Sequence, residues 1–229
     1  SGDGLAVEIA GICQDYMSGK LGRSHTMSQM LNNLMDRLSL PPKGRVETGF
    51  TRVDALLKGM RAGNFVIIAA RPAVGKSVYA QNIAMNVARS GKSVLLYSLE
   101  MSDEELGERI ISKTSGVQLD KITDHNLDKQ DWKRISDACQ YLYDLPLIIN
   151  DDPSVTTSKI RAEARMTENL GLIIVDFLTL IKSERKYDSR NLEVGAISRE
   201  LKLLAKELKI PIIALSQLNR NAADTSRPT

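Results

Sequence analysis

From residue 64 onward, short apolar runs alternate with amphipathic stretches. The first run, NFVIIAA (64–70), has no polar interruption after Asn64, the pattern of a strand buried on both faces. SVLLYSLE (93–100), PLIIND (146–151), a strand within LIIVDFLTLI (172–181) and IPIIALS (210–216) follow it. Between these runs the apolar period lengthens to that of a helix. Lys76–Arg89 reads as a helix stopped by Gly91. MSDEELGERIISKTSG opens on Ser102 and Glu105, a capping box, and closes at Gly116. LDKQDWKRISDACQYLYD has helical spacing through Trp132, Ile135, Ala138, Cys139 and Leu142. TTSKIRAEARMTENLG reads as a helix that ends at Gly171, and 192–208 as another. Strands alternating with helices predict an α/β fold, a mainly parallel sheet with helices on both faces. Ligands of such sheets bind beyond the carboxyl ends of the strands.

The chain before this body is organised differently. Residues 1–25 read as a tail, with a short apolar stretch, LAVEIAGI, giving way to the flexible SGKLGRSH. Met27, Met30, Leu31, Leu34 and Leu38 then fall on one helical face, and Pro41 and Pro42 stop that helix. A helix this short is marginal alone in water, so its stripe needs a partner surface. From the pattern alone, that partner is equally its own body or a neighbouring subunit. The globular body starts near Thr48.

A chain of 229 residues accommodates one large α/β domain, or one domain with a short appendage. With 42% hydrophobic and 26% charged residues, a substantial core is expected and global disorder is not. A net charge of +3 makes any basic surface a local one. Aromatics at 4% argue against a protein that reads bases mainly by stacking. No apolar run approaches the roughly eighteen residues of a membrane helix, and the first residues lack a signal-peptide pattern. Cys13 and Cys139 are far apart and fit neither metal spacing nor a disulfide framework, and His25 and His125 have no neighbouring ligands. A reducing, cytoplasmic setting is the expectation.

Chemistry concentrates after the first strand. Ala70-Arg71-Pro72-Ala73-Val74-Gly75-Lys76-Ser77 has P-loop spacing, with Ala70 where the usual motif begins with Gly. Backbone N–H groups of such a turn, together with the helix N-terminus, cradle phosphate. The expected nucleotide-binding segment is Arg71, Pro72, Ala73, Val74, Gly75, Lys76, Ser77 and Val78. Lys76 can reach β/γ phosphates and Ser77 can ligate Mg²⁺. Asp176 ends the apolar run of the fourth strand, where a carboxylate suits Mg²⁺ held through water and suits packing poorly. Glu100 ends the second strand, on the same edge as Lys76, where it can orient or deprotonate an attacking water; its plainer role is a helix-capping Glu. Gln217 follows the fifth strand, either as a γ-phosphate contact or as a loop-edge polar residue. Lys182, Arg185, Lys186 and Arg190 cluster in the loop after the fourth strand. Such a cluster can track a phosphate backbone, although a solvated charge run is the more ordinary explanation.

ARPAVGKS, SLEM (98–101), IIVDFLTLI (173–181), ISRELKLLAKEL (197–208) and IPIIALSQLNR (210–220) together resemble the ATPase domain of the DnaB family of bacterial and phage replicative helicases. TGFTRVDALLKGMRAGNFVIIAARP (48–72) resembles the start of that domain, including an Ala at the first P-loop position. The resemblance covers roughly residues 27–229. It implies a RecA-like P-loop NTPase fold, a ring hexamer, and movement along single-stranded DNA driven by ATP with Mg²⁺. It implies Lys76 and Ser77 at phosphate and metal, Glu100 as catalytic base, Asp176 as Walker B acid and Gln217 as γ-phosphate sensor. The helix at 27–38 becomes a linker helix that docks on the adjacent subunit through Met30, Leu31, Leu34 and Leu38. Residues 1–25 become a tail or the remnant of an N-terminal domain, 26–47 the linker helix and connector, and 48–229 the ATPase domain, shortened at its C-terminal end. Primase and a helicase loader are the implied partners. The family's arginine finger and DNA-contacting loop have no positions to map onto; Arg220 and Arg227 are the late substitutes. The rival classes are a RecA/RadA-type recombinase, which forms a filament, and a nucleotide-switched regulatory or loader ATPase. A small-molecule kinase would need an acceptor pocket that no motif marks.

Overall fold

The computed structural model describes residues 26–40 and 45–218. The tail, Cys13, His25, Arg220 and Arg227 lie outside the described residues. The chain divides into two compact units, residues 1–44 and 45–229. In the first, α1 (Met27–Ser39) is closed at its start by a reciprocal capping box. Thr26 Oγ1 accepts from the Gln29 N–H at 3.2 Å, and Gln29 Oε1 accepts from the Thr26 N–H at 3.0 Å. Leu40, which precedes Pro41, is extended, as a residue before proline prefers. Met27, Met30, Leu31, Leu34 and Leu38 are all exposed.

The second unit carries α2 (Thr51–Leu57), β1 (Phe65–Ala70), α3 (Lys76–Arg89), β2 (Ser93–Ser98), α4 (Asp103–Ser115), α5 (Leu119–Thr123), α6 (Lys129–Tyr143), β3 (Leu147–Asn150), α7 (Thr157–Met166), β4 (Leu170–Asp176), a 3₁₀ turn (Leu178–Leu180), α8 (Arg190–Leu208) and β5 (Ile212–Gln217). The five strands form one sheet in the order β1-β5-β4-β2-β3. Every pairing is parallel. All carboxyl ends therefore share one edge.

Alternation along β2, β4 and β5 divides the core in two. Leu95, Tyr97, Ile173, Val175, Ile212 and Ala214 face Ile160 and Ala164 of α7 and Ile197, Leu201 and Leu204 of α8. Val94, Leu96, Leu172, Ile174, Ile213 and Leu215 face Ala80, Ile83, Ala84 and Val87 of α3 and Leu106 of α4. Each fully buried Leu or Ile contributes about 1.5–3 kcal/mol relative to exposure, so this doubly covered sheet is a stiff base for its carboxyl edge.

Three sequence expectations need correction. β1 is not buried on both faces: it lies at one end of the described sheet, and Ile67 is 51% exposed. The helix expected to end at Gly171 ends at Met166, where Thr167 N and Oγ1 both bond back to the Glu163 carbonyl. Gly171 instead lies buried inside β4, where a Cβ would sit 2.7 Å from the Lys92 side chain. Close approach, not a helix stop, requires glycine there. Of the box at Ser102 and Glu105, only the Ser102 half is formed among the described residues. The helix read from Trp132 to Leu142 is present as α6, whose buried face is Ile135 and Ala138 with the acid Asp131, while Trp132 and Cys139 are exposed. Asp131 stays charged there because Lys121 Nζ lies 2.6 Å away; that bond holds its carboxyl below the usual range.

Candidate nucleotide site

The strand order decides what meets at the carboxyl edge. β1 releases the chain into residues 71–75, β5 ends in Gln217, β4 in Asp176, and β2 leads within two residues to Glu100. Gln217 pairs in register with Ala70, and the Leu218 N–H donates to the Ala70 carbonyl at 3.1 Å, so β5 is fixed to the root of the loop. Asp176 pairs with Ser98, and its carbonyl accepts from the Leu99 N–H at 2.7 Å, which carries the β2–β4 pairing one bond toward Glu100.

The loop itself is shaped for an anion. Ala73 (φ 62°) and Gly75 (φ 89°) are both left-handed. Alternating hands of this kind turn successive N–H groups to one side and form a nest. A left-handed Ala costs about 1–2 kcal/mol, strain that clusters at ligand-binding turns. Gly75 is the N-cap of α3, no side chain caps this helix, and its first turn holds no acid. The first N–H groups and the positive end of the helix dipole are left for a ligand.

A cleft of about 320 Å³ opens here, lined by Ala70, Arg71, Pro72, Ala73, Gly75, Lys76, Ser77, Val78, Glu100, Met101, Arg109 and Gln217. Of the expected nucleotide-binding segment, all line it except Val74, which is exposed. Asp176 is reached through Lys76: Nζ lies 3.5 Å from Oδ1, with side chains 9% and 7% exposed. Phe177 supports the ammonium from its ring face, 4.6 Å from Nζ to the centroid. Asp176 Oδ1 is buried and has no hydrogen-bond partner. A buried carboxylate oxygen with no hydrogen bond, and a Ser77 hydroxyl on the cleft wall, are oxygen donors of the kind a hard divalent cation takes. Among the described residues no group of three or more His, Cys, Asp or Glu could hold a metal unaided. The residues therefore fit Mg²⁺ that arrives sharing its shell with phosphate oxygens.

Sequence reasoning missed Arg109. It sits on α4, which lines a groove with α3 from Val78 to Arg89, and it reaches the cleft through that placement. No spacing rule marks it. The basic loop residues do not line the cleft. Lys182, Arg185 and Lys186 are exposed, whereas Arg190, at the start of α8, pairs with Glu193 and donates to the Thr179 carbonyl. The loop's near end is tied down: the Lys182 N–H donates to the Val155 carbonyl at 3.0 Å, and the Thr156 hydroxyl donates to Glu184 at 2.8 Å. No described helix is long and apolar enough to cross a membrane.

A parallel sheet with the phosphate loop after β1, an acid after β4 and β5 between those two strands defines a RecA-like α/β P-loop fold. Residues 45–229 match the model of the DnaB-like helicase C-terminal domain, and the chain belongs to that family. It is 41% identical over 180 residues to the replicative DNA helicase DnaC of Bacillus subtilis (strain 168), a match covering 76% of this chain and 40% of that protein. Among solved structures, one described as an ATPase domain superposes with a TM-score of 0.80 at 29% identity, covering 90% of this chain and 76% of that one. A structure described as a DnaB-like replicative helicase and its interactions with primase gives a TM-score of 0.78 at 28% identity, covering 96% of this chain and 55% of that one. The chain spans less than half the length of the curated relatives it matches.

Proposed function

We propose that this chain is the ATPase motor domain of a replicative DNA helicase, which couples hydrolysis of Mg-ATP to movement on single-stranded DNA and to duplex unwinding. One observation carries the reading: a single sheet edge gathers a phosphate loop, a strand-end carboxylate (Asp176), a second carboxylate (Glu100) and a neutral amide (Gln217), with Lys76 at their centre. Phosphates lie on the N–H groups of 73–77, and the Lys76 ammonium offsets their charge. Ser77 and Asp176 would hold Mg²⁺, which when bound neutralises charge on the phosphates. Glu100, exposed at the cleft wall, accepts the proton of the attacking water. Gln217 orients that water or the γ-phosphate from the end of β5. Arg109 adds a cation to the wall of the cleft.

In this proposal the body works within a ring hexamer in the cytoplasm, with primase and a loader as partners. Residues 48–229 form the motor and 26–47 the linker. The exposed stripe of α1, including Met30, Leu31, Leu34 and Leu38, docks on the adjacent subunit. Lys182, Arg185 and Lys186 follow the DNA backbone, and Arg190 anchors the far end of their loop. Replacing Leu31 and Leu34 by Asp is expected to abolish assembly while the body stays folded; unchanged sedimentation would remove α1 from the interface.

The test of the function is steady-state ATP turnover with and without single-stranded DNA, paired with displacement of a labelled strand and electron microscopy. DNA-stimulated turnover, strand displacement and closed rings are the expected results. Filaments would point to a recombinase, and nucleotide binding without displacement to a regulatory or loader ATPase.

A further inference from the structure

Lys76 and Asp176 serve different parts of the ligand, one the phosphates and the other the divalent cation, yet their charged ends meet. Nζ lies 3.5 Å from Oδ1 and both side chains are almost fully buried. The Phe177 ring holds the same ammonium from a second side. Oδ1 has no hydrogen-bond donor of its own, and Lys76 is the one ion-pair partner of Asp176 among the described residues.

Resting on the nucleotide-site reading above, we propose that Lys76 is an internal cation that competes with the divalent metal for Asp176, so that metal enters only as phosphate draws the ammonium away. A cation held against Asp176, even through water, would stand within several ångströms of a buried ammonium, and at low effective dielectric that repulsion is strong. The described residues bring no cluster of carboxylates able to overcome it. Phosphate changes the sign of the problem. Its oxygens attract both cations at once and give the ammonium a better-charged partner than a single carboxylate. Metal and nucleotide thus bind as one positively coupled pair, and the free metal ion is excluded by the protein's own lysine.

The experiment measures free Mn²⁺ by electron paramagnetic resonance as it is added to the 229-residue chain without nucleotide, at mildly alkaline pH. Lys76→Met is expected to bind Mn²⁺ at least roughly tenfold more tightly than wild type. Combining it with Asp176→Asn should remove the gain. Phe177→Leu keeps the lysine but takes away the ring's hold, and should tighten Mn²⁺ by roughly two- to fivefold. Circular dichroism checks that each variant folds; should Lys76→Met fail to, the Phe177→Leu comparison decides. Equal Mn²⁺ affinity in wild type, Lys76→Met and Phe177→Leu overturns the competition. A separate titration of wild type with ADP and Mn²⁺ together keeps the two readings apart. Cooperative uptake there with equal metal-only affinities sinks the competition alone, whereas no uptake of the pair sinks the nucleotide site and the competition with it.

Discussion

Two long helices open at the same edge of the sheet, and their first turns are built in opposite ways. α4 begins with its polar groups already paired. The Ser102 hydroxyl accepts from the Glu105 N–H at 3.2 Å, Asp103 Oδ1 from the Glu104 N–H at 2.8 Å, and Asp151 Oδ2 from the Asp103 N–H at 3.2 Å. Asp103, Glu104 and Glu105 in its first turn answer the helix dipole with the chain's own charge. α3 begins with a left-handed Gly75, no side-chain cap and no acid. Both helices face the same exposed N–H problem. One is closed by its own sequence and needs nothing more; the other is left open, with a lysine as its first residue. On the proposed function, the difference separates a helix start that serves stability from one that serves a ligand.

The largest effects are expected from the side chains around α3. Glu100→Gln preserves size and hydrogen bonding but cannot take a proton. Nucleotide binding should persist while turnover falls by roughly 10²–10⁴-fold; turnover at the wild-type rate would leave Glu100 a structural role only. Lys76→Ala removes the cation from the open helix start. A few kcal/mol of nucleotide affinity should go with it, because the contact is charge-assisted and partly desolvated. Near-native affinity in a fluorescent-nucleotide titration would refute the site.

Gly75→Ala probes the backbone of the open helix start. A Cβ at Gly75 would meet nothing within 4 Å, so sterics with neighbours are not at issue. The cost is the left-handed conformation at φ 89°, about 1–2 kcal/mol. Nucleotide affinity should fall by about tenfold for each 1.4 kcal/mol of it. No change in affinity would mean the loop adopts another conformation when it binds. Ser102→Ala is the smallest effect and the control. Loss of the α4 cap should cost about 1 kcal/mol of stability and lower Tm by about 2–4 °C, with nucleotide affinity unchanged. An affinity loss there as large as at Gly75 would erase the distinction between the two helices.

Most of the fold was legible because its signals are local. The period of α3 and α8, the apolar continuity of β2, β4 and β5, and the spacing from Ala70 to Ser77 each lie within one stretch of chain. So does the reason Asp176 stands out, a carboxylate closing a run of buried Leu and Ile. What was not legible depends on neighbours. NFVIIAA reads as doubly buried, but burial of β1 requires covering elements that its own sequence cannot name, and Ile67 is open. Gly171 carries the same letter whether it stops a helix or admits Lys92, and only packing tells the two apart. Asp131 reads as a surface acid of α6 until Lys121 is brought across from α5. Arg109 remains exposed, and only the placement of α4 beside α3 brings it to the cleft wall. The capping box of α1 was local and still missed, since Thr26 and Gln29 fall outside the apolar stripe that drew attention to that helix.

Hydrogen exchange of backbone amides with and without Mg-nucleotide reads the very N–H groups on which the two helix starts differ. Protection is expected at 73–78, with smaller effects at Glu100–Met101 and Gln217. Amides 103–106 at the start of α4 should exchange at the same rate in both conditions, since their partners belong to the chain itself. Protection equal at both helix starts, or absent from 73–78 under saturating nucleotide, would contradict the account.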